Sequence, residues 1–308
     1  MSEPKNQHVI PRCYLKQFVD PSTPAGREPY VWIFDRNSKR GKKRAPKNIL
    51  TEPDLYTFEV KDGTKDYVLE RTLAQIESDY ATVFERTISR KVPLNEYEHA
   101  VLCAFVAAML QRTVKQKKHI EGFLDQLIAK TEHLERVHDA RPKTSTELRE
   151  AKEDAHKVSI VQSLPAISGI LMKMNLAFLC ANRSGSFITS DAPCFLFNAE
   201  LQWQRFYGPG LGQKHVEVQM PLSPEISVEF SWVNNVRGYL EVGPDRIHEC
   251  NRAVFGHSYE YFIANSPRVK RRWFRRFPLD PVFICRMVAN KARMRFARWR
   301  YGRYARIR

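Results

Sequence analysis

Apolar positions along the chain recur with two different periods, and the switch between them divides it into a helical middle and two β-rich flanks. Asn6 to Asp20 is short and mixed, and Asp20-Pro21-Ser22-Thr23-Pro24-Ala25-Gly26 reads as a loop. Tyr30-Val31-Trp32-Ile33-Phe34 is aromatic and β-branched and predicts a strand. Arg36 to Lys47 reads as a basic loop. Leu55 to Val60 predicts a second strand, closed by the turn signal Asp62-Gly63. Leu69, Leu73, Ile76, Tyr80, Val83 and Phe84 then fall at helical spacing, with Asp66 as the N-cap and Arg90 as the end. A second helix is predicted over 95–130, apolar nearly all round from Ala100 to Leu110 and therefore central. Pro142 and Thr144-Ser145-Thr146 mark a break and a third start, running towards Met174 with Pro165 as a kink or end.

From Leu176 the period shortens to two. Ala177–Cys180 and Ser186–Thr189 flank the turn Asn182-Arg183-Ser184-Gly185 and predict a hairpin. Val216–Met220, Ile226–Val233 and Tyr239–Val242 predict further strands. A helix follows from Asp245 to about His257, then a strand at Tyr259–Ala264. The expected class is α+β: a central helical bundle on a largely antiparallel sheet, with a basic helical C-terminal extension. Residues 1–265 are expected to form one domain and 266–308 an arm.

Composition changes this picture in one place. The chain has 308 residues and a net charge of +16. From Arg268 onward it holds 15 of the 50 Lys/Arg and only Asp280 of the 34 acids, a net of +14 that leaves +2 for the rest. Such segregation implies a partner of opposite sign. The arm alternates cations with aromatics at Arg268, Lys270, Arg271, Arg272, Trp273, Phe274, Arg275 and Arg276. Beyond Pro281 a helix over 282–301 is expected to display Arg286, Lys291, Arg293, Arg295, Arg298 and Arg300, with Trp299 beside them and Arg303, Arg306 and Arg308 after it. Arginine forks suit phosphate, and Trp273, Phe274, Trp299, Tyr301 and Tyr304 could stack on bases. Nucleic acid, RNA or DNA, is the expected partner; an anionic membrane surface or an acidic protein suits the same composition.

Scattered cysteines without a CxxC pair, no secretory signal and no apolar run beyond the 11 residues Ala100–Leu110 lead to the expectation of a cytoplasmic protein without a transmembrane segment. A span needs about 20 residues. Phosphate-loop, dinucleotide, zincin and serine-hydrolase motifs are absent. His248, Cys250 and His257 imitate a metal corner but lack a fourth ligand at usual spacing, and a plain helix surface is the simpler reading.

Five local patterns carry a resemblance. They are Gln7-His8-Val9-Ile10-Pro11-Arg12-Cys13-Tyr14-Leu15-Lys16-Gln17-Phe18, Glu70-Arg71-Thr72-Leu73-Ala74-Gln75-Ile76-Glu77, Gln111-Arg112-Thr113, Phe187-Ile188-Thr189-Ser190-Asp191-Ala192-Pro193 and Met220-Pro221-Leu222-Ser223-Pro224. In this order, across 7 to about 264, the chain resembles the bacterial domain of unknown function 4238 family. It departs in carrying Gln7 where that family has a first histidine, and the basic arm lies beyond the matched region. The resemblance implies no activity, so the residues are weighed physically.

Glu70 and Glu77 are seven apart and share a helix face with Ala74 and Ala81; they line a site or a solvated surface. His8 is a general acid or base, or a hydrogen-bonded structural histidine. Arg112 follows the most buried helix and needs a partner, either phosphate or a salt bridge to Glu70, Glu77 or Asp191. Asp191 caps a turn or points into a cleft. Should His8, Glu70, Glu77, Arg112 and Asp191 converge, they suit phosphodiester cleavage, with carboxylates holding Mg²⁺ or with His8 acting on RNA without metal. The expectation is a nucleic-acid-binding protein, with nuclease action in bacterial phage–host conflict as its catalytic form. The alternative is a non-catalytic module docking through the arm on a nucleic-acid or ribonucleoprotein assembly. An enzyme acting on a small phosphorylated ligand is a third reading.

Overall fold

A computed structural model describes residues 6–38, 40–59, 63–138, 143–182, 185–198, 201, 208–232 and 237–274. The chain opens with β1 (Asn6–His8) and α1 (Arg12–Leu15), then β2 (Val31–Asp35), β3 (Gly41–Arg44) and β4 (Thr51–Pro53). The short strands β5 (Phe58–Glu59) and β6 (Lys65–Asp66) lead into helix α2 (Val68–Val83). Helices α3 (Glu96–Gln111), α4 (Val114–Val137) and α5 (Lys143–Leu171) form the helical middle. The β-rich half runs β7 (Asn175–Ala181), β8 (Thr189–Ser190), β9 (Phe195–Phe197), β10 (Glu217–Pro221), β11 (Ile226–Ser231), β12 (Gly238–Val242), helix α6 (Pro244–His257) and β13 (Tyr261–Ala264). This is the expected α+β class, with antiparallel pairing throughout except between β12 and β7.

Helix α3 occupies the centre because its sequence leaves no polar face: Val101, Leu102, Cys103, Phe105, Val106, Ala107, Ala108 and Met109 are all buried. Its start is fixed by a capping box, in which Asn95 accepts from the Glu98 N–H and Glu98 accepts from the Asn95 N–H. Phe105 stacks on Tyr80 of α2 with ring centroids 3.6 Å apart. The inner face of a five-stranded sheet, ordered β12-β7-β11-β10-β9, joins this core through Phe178, Val218, Met220, Val228 and Phe230. Helix α6 covers its outer face, where Arg246 pairs with Glu229 and the Gln219 amide reaches Cys250.

A second sheet has the order β3-β2-β13-β8. Alternation along β2 sends Val31 to the main core, while Phe34 joins a separate aromatic cluster with Phe262, Val254 and Trp273. Its edge strand β3 is Gly-Lys-Lys-Arg and exposed at every position. The stretch read as a basic loop is thus in part a strand, paired to β2 through Val31↔Arg44 and Phe34↔Gly41. Gly41 is required there: a Cβ on it would lie 2.5 Å from the Phe34 ring.

Four other expectations need correction. The continuous helix over 95–130 is two, broken at Arg112, and Thr113 caps the second by accepting the Gln116 N–H. Leu55–Val60 is not one strand: Asp54 sits at φ 48°, and the turn that follows buries Leu55 and Tyr56 before β5. The hairpin over 177–189 does not form. Strand β7 is apolar on both faces and sits between β11 and β12, whereas β8 pairs with β13. Pro165 does not end α5, which continues to Leu171; the carbonyl it orphans belongs to exposed Val161, where water can reach it. The expected helix over 282–301 lies outside the described residues, as do Arg275, Arg276, Arg286, Lys291, Arg293, Arg295, Arg298, Trp299, Arg300, Arg303, Arg306 and Arg308.

Candidate functional site

The segments singled out in the sequence meet in space. The break after α3 turns the Arg112 side chain inward, where it is 2% exposed. Its Nη1 donates to Glu77 Oε1 at 2.6 Å, its Nη2 to the His8 carbonyl at 2.6 Å and its Nε to the Tyr56 hydroxyl at 3.1 Å. The guanidinium also lies 5.1 Å from the centroid of the Tyr56 ring. Burial opposes its charge, but Tyr56 and Glu77 outweigh that and hold its pKa above the ordinary arginine value. One side chain therefore clasps β1, α2 and the 54–57 turn to the end of the central helix.

Gln7 does the parallel work one residue earlier. Its amide nitrogen donates to Thr57 Oγ1 at 2.9 Å and to Glu70 Oε2 at 2.7 Å, and its oxygen accepts the Tyr56 N–H at 2.5 Å. The position that departs from the family pattern is thus a buried hub, 3% exposed. An amide offers both donors and an acceptor there, which a single neutral imidazole tautomer matches only in part.

His8 is half-buried, with Nε2 3.3 Å from the Pro46 carbonyl. Burial lowers its pKa, and Arg112 and Arg12 push the same way against the Pro46 carbonyl and Glu77. The ring is therefore neutral at pH 7. Beside it the Glu77 side chain retains 24% exposure. Cys13 donates to the Glu77 carbonyl, and burial, then Glu77, pushes its thiol up to about 12. That thiol is inert as a nucleophile.

Asp191 works elsewhere. Its carboxylate accepts the backbone N–H groups of Tyr259, Glu260 and Tyr261 at 2.8, 2.6 and 2.9 Å, fixing the entry to β13. Burial still raises its pKa despite those three donors. His8, Glu77 and Arg112 are thus brought into one niche, Glu70 reaches it through Gln7, and Asp191 is committed to a turn. Nearby, Arg36 donates to the carbonyls of Gly256 and Ser258 and Lys115 to that of His257, closing the C-terminus of α6.

Tyr14 ties the opening segment to the other two: its hydroxyl lies 2.5 Å from Thr189 Oγ1 and donates to the Pro221 carbonyl at 2.6 Å. Among the described residues no three His, Cys, Asp or Glu side chains are placed to share a metal ion. Glu70, Glu77 and Asp191 do not form the Mg²⁺ site that their convergence would have offered. His248 and Cys250 are both buried in α6, where His248 Nδ1 accepts an indole N–H.

That indole is Trp273, and it corrects the reading of the arm's first turn. Trp273 is 3% exposed, its Nε1 donates to His248 at 3.0 Å, and it packs in the cluster of Phe34 and Phe262. Phe274 meets Phe255 edge-on, with centroids 4.9 Å apart. Trp273 is an anchor and presents no face to a base. Arg268 and Lys270, just before it, are exposed, and Arg271 and Arg272 share its short 3₁₀ turn.

A family model described as "Protein of unknown function (DUF4238)" matches residues 6–268. No curated protein and no solved structure matches the chain. No helix among the described residues is long and apolar enough to cross a membrane.

Proposed function

We propose that the chain, which belongs to the DUF4238 family, is a nucleic-acid-binding protein that holds its polyanion through the C-terminal arm while the folded body serves as the anchor. The observation that carries this is the segregation of charge, with 15 Lys/Arg against Asp280 alone after residue 267. Phosphate is the dense anion that so many arginines suit. The Trp273 and Phe274 side chains support the reading from the other end. They fasten the root of the arm to the body.

Donor bookkeeping favours binding over cleavage. Arg112, the residue best suited to stabilise a phosphorane, donates through all three of its nitrogens to protein groups. Asp191 has three backbone partners. A second reading, phosphodiester cleavage, draws on the neutral His8 imidazole and the partly exposed Glu77 carboxylate within electrostatic reach of it.

The test is titration of labelled RNA and DNA with the full chain and with residues 1–274, at low salt and across a salt series. Binding by the full chain that weakens steeply with salt and collapses on truncation is the expected result. Equal binding by both forms overturns the arm's role. Product formation, with Mg²⁺ or with EDTA, that disappears in His8→Ala and Glu77→Gln would favour the second reading.

A further inference from the structure

The four-stranded sheet carries, on one face, an aromatic row against one end of which Phe274 packs. Phe34 and Phe262 stack with centroids 4.8 Å apart, and Phe274 closes over Phe262 at 5.7 Å. Register places Trp32 opposite Ala264 and Lys43 on that same face, and Tyr30 continues the row beyond β2. Trp32 lies 6.5 Å from Phe34 and 6.2 Å from Tyr30, centroid to centroid. Tyr30 and Trp32 are only partly buried.

Asp20 holds the Trp32 ring by its polar edge, accepting the indole N–H at 2.7 Å, and its own backbone N–H donates to the Tyr30 carbonyl at 2.8 Å. What lies over the two ring faces is a cation: the Lys43 ammonium is 4.5 Å from the Tyr30 centroid and 5.2 Å from that of Trp32. Its neighbours Lys42 and Arg44 are exposed on the same edge strand but alternate to its other side, opposite Ile33 and Val31. Ala45 has no charge, and the nearest acid on the strand pair, Asp35, is turned into its own loop on the N–H groups of Asn37 and Ser38.

We propose that this face, Tyr30 and Trp32 with Lys43 over them and the exposed edge strand beside them, is a platform for single-stranded nucleic acid. The inference rests on the nucleic-acid reading of the arm and names the class of strand that the body receives. An unpaired base offers a π-face to Tyr30 or Trp32, which duplex bases, stacked on each other, do not. Lys43 holds the ring faces in the free protein and moves to the backbone phosphate when a base takes its place; its long stem permits the swing. Charge complementarity chooses the occupant: cations in a row along an open edge match the spaced phosphates of an extended strand. Trp273 and Phe274, at the root of the arm, pack on this same face.

The experiment compares the full chain with Tyr30→Ala/Lys43→Ala, using a single-stranded RNA, a single-stranded DNA and a duplex of the same sequence, with thermal unfolding to confirm that the variant is folded. Affinity for the single strands should fall roughly tenfold or more, given base–aromatic stacking of about 1–3 kcal/mol per base. Duplex affinity, set by the arm, should change by less than about threefold, the share of one lost phosphate contact. Lys43→Arg, which keeps a cation at the edge, should restore most of the phosphate component. Equal loss for duplex and single strands overturns the platform, and so does unchanged single-strand affinity. Should the full chain bind none of the three at low salt, the arm reading itself fails, an outcome distinct from both. A variant that unfolds is replaced by Tyr30→Leu, which keeps an apolar side chain at the position without a π-face and should show the same selective loss.

Discussion

Among the described residues two cations sit over tyrosine rings, and their surroundings differ in every other respect. The Arg112 guanidinium lies 5.1 Å from Tyr56, buried, with Glu77, the His8 carbonyl and the Tyr56 hydroxyl accepting from its three nitrogens. The Lys43 ammonium lies 4.5 Å from Tyr30 on an exposed edge strand, and among the described residues no carboxylate forms an ion pair with it. The first cation has its geometry fixed by the fold. The second has two partly exposed rings, Tyr30 and Trp32, beneath it. A charge whose partners are all internal holds elements together, whereas one left over an open aromatic face can exchange that face for a ligand.

The largest expected effect tests the first half of this contrast. Arg112→Met should cost about 3–5 kcal/mol of stability, because it strands a carboxylate and a carbonyl around a buried gap. Arg112→Lys should recover little, since an ammonium cannot serve three separated acceptors in one plane. Urea unfolding of the variants measures both. A loss under about 1 kcal/mol for Arg112→Met would mean that the guanidinium is not the clasp, and would return it to the list of groups available to phosphate.

Trp273→Ala comes next. Removing a buried indole, together with the N–H that satisfies His248, should cost about 3 kcal/mol. It should also weaken nucleic-acid binding, because the arm's root is no longer seated. Measured together, the two losses separate an anchor from a stacking residue: a base-stacking tryptophan would lose binding while leaving stability within about 0.5 kcal/mol.

Much of this was legible in the chain. Helix α3 announced its burial by lacking a polar face, and the need of Arg112 for an anionic partner, phosphate or acid, followed from its position behind that helix. Glu77 was one of three partners considered, and packing selected it. The break at Arg112 was written in Thr113-Val114-Lys115-Gln116, a Ser/Thr-x-x-Glu/Gln start signal, but the hydrophobic period ran through it without interruption and masked it. Gln7 was read as a missing histidine because its partners, Thr57 and Glu70, are 50 and 63 residues away. Asp191 looked like a site residue for the same reason that it makes a good turn anchor: a carboxylate at a strand end serves either purpose, and only the approach of Tyr259–Tyr261 decides. Trp273 shows the limit of composition. Cations alternating with aromatics describe a stacking arm equally well as a plug, and the Phe34–Phe262 pocket that receives the indole is built from strands more than 200 residues apart.

The contrast also has a pH dependence. Burial, then Lys115 and Arg36, pushes the His257 imidazole down to about 4, and burial lowers His8, His99 and His156 as well. A histidine whose folded pKa lies below its unfolded value binds fewer protons when folded. Its contribution is intact above about pH 6.5 and is lost as pH falls towards the folded value, at up to about 1.4 kcal/mol per pH unit per group. Stability should therefore decline from about pH 6.5 to pH 4. Asp191 runs the other way: its raised pKa favours the protonated folded form, so its share of stability grows as pH falls through that value. His257→Phe, which keeps the stack on Phe195, should flatten the decline between pH 6.5 and 4. An unchanged slope would show that the other histidines carry it.

The smallest expected effect is the one that bears hardest on function. Lys43→Met keeps the stem over Tyr30 and Trp32 and removes only the charge. An exposed cation–π contact contributes about 0.5–1 kcal/mol, and the methionine thioether recovers part of that on the rings. Chemical denaturation should therefore find the variant within about 0.5 kcal/mol of the parent. Strand β3 keeps its ladder to β2, because that is backbone, and Gly41 still admits the Phe34 ring. A loss of 2 kcal/mol or more would place Lys43 with Arg112 as a cation that the fold requires, and the edge strand would then have nothing to exchange with a ligand. A near-neutral result leaves a residue that evidently does little for the folded state while occupying the face of two well-positioned aromatic rings, which is the condition a displaceable binding residue has to meet.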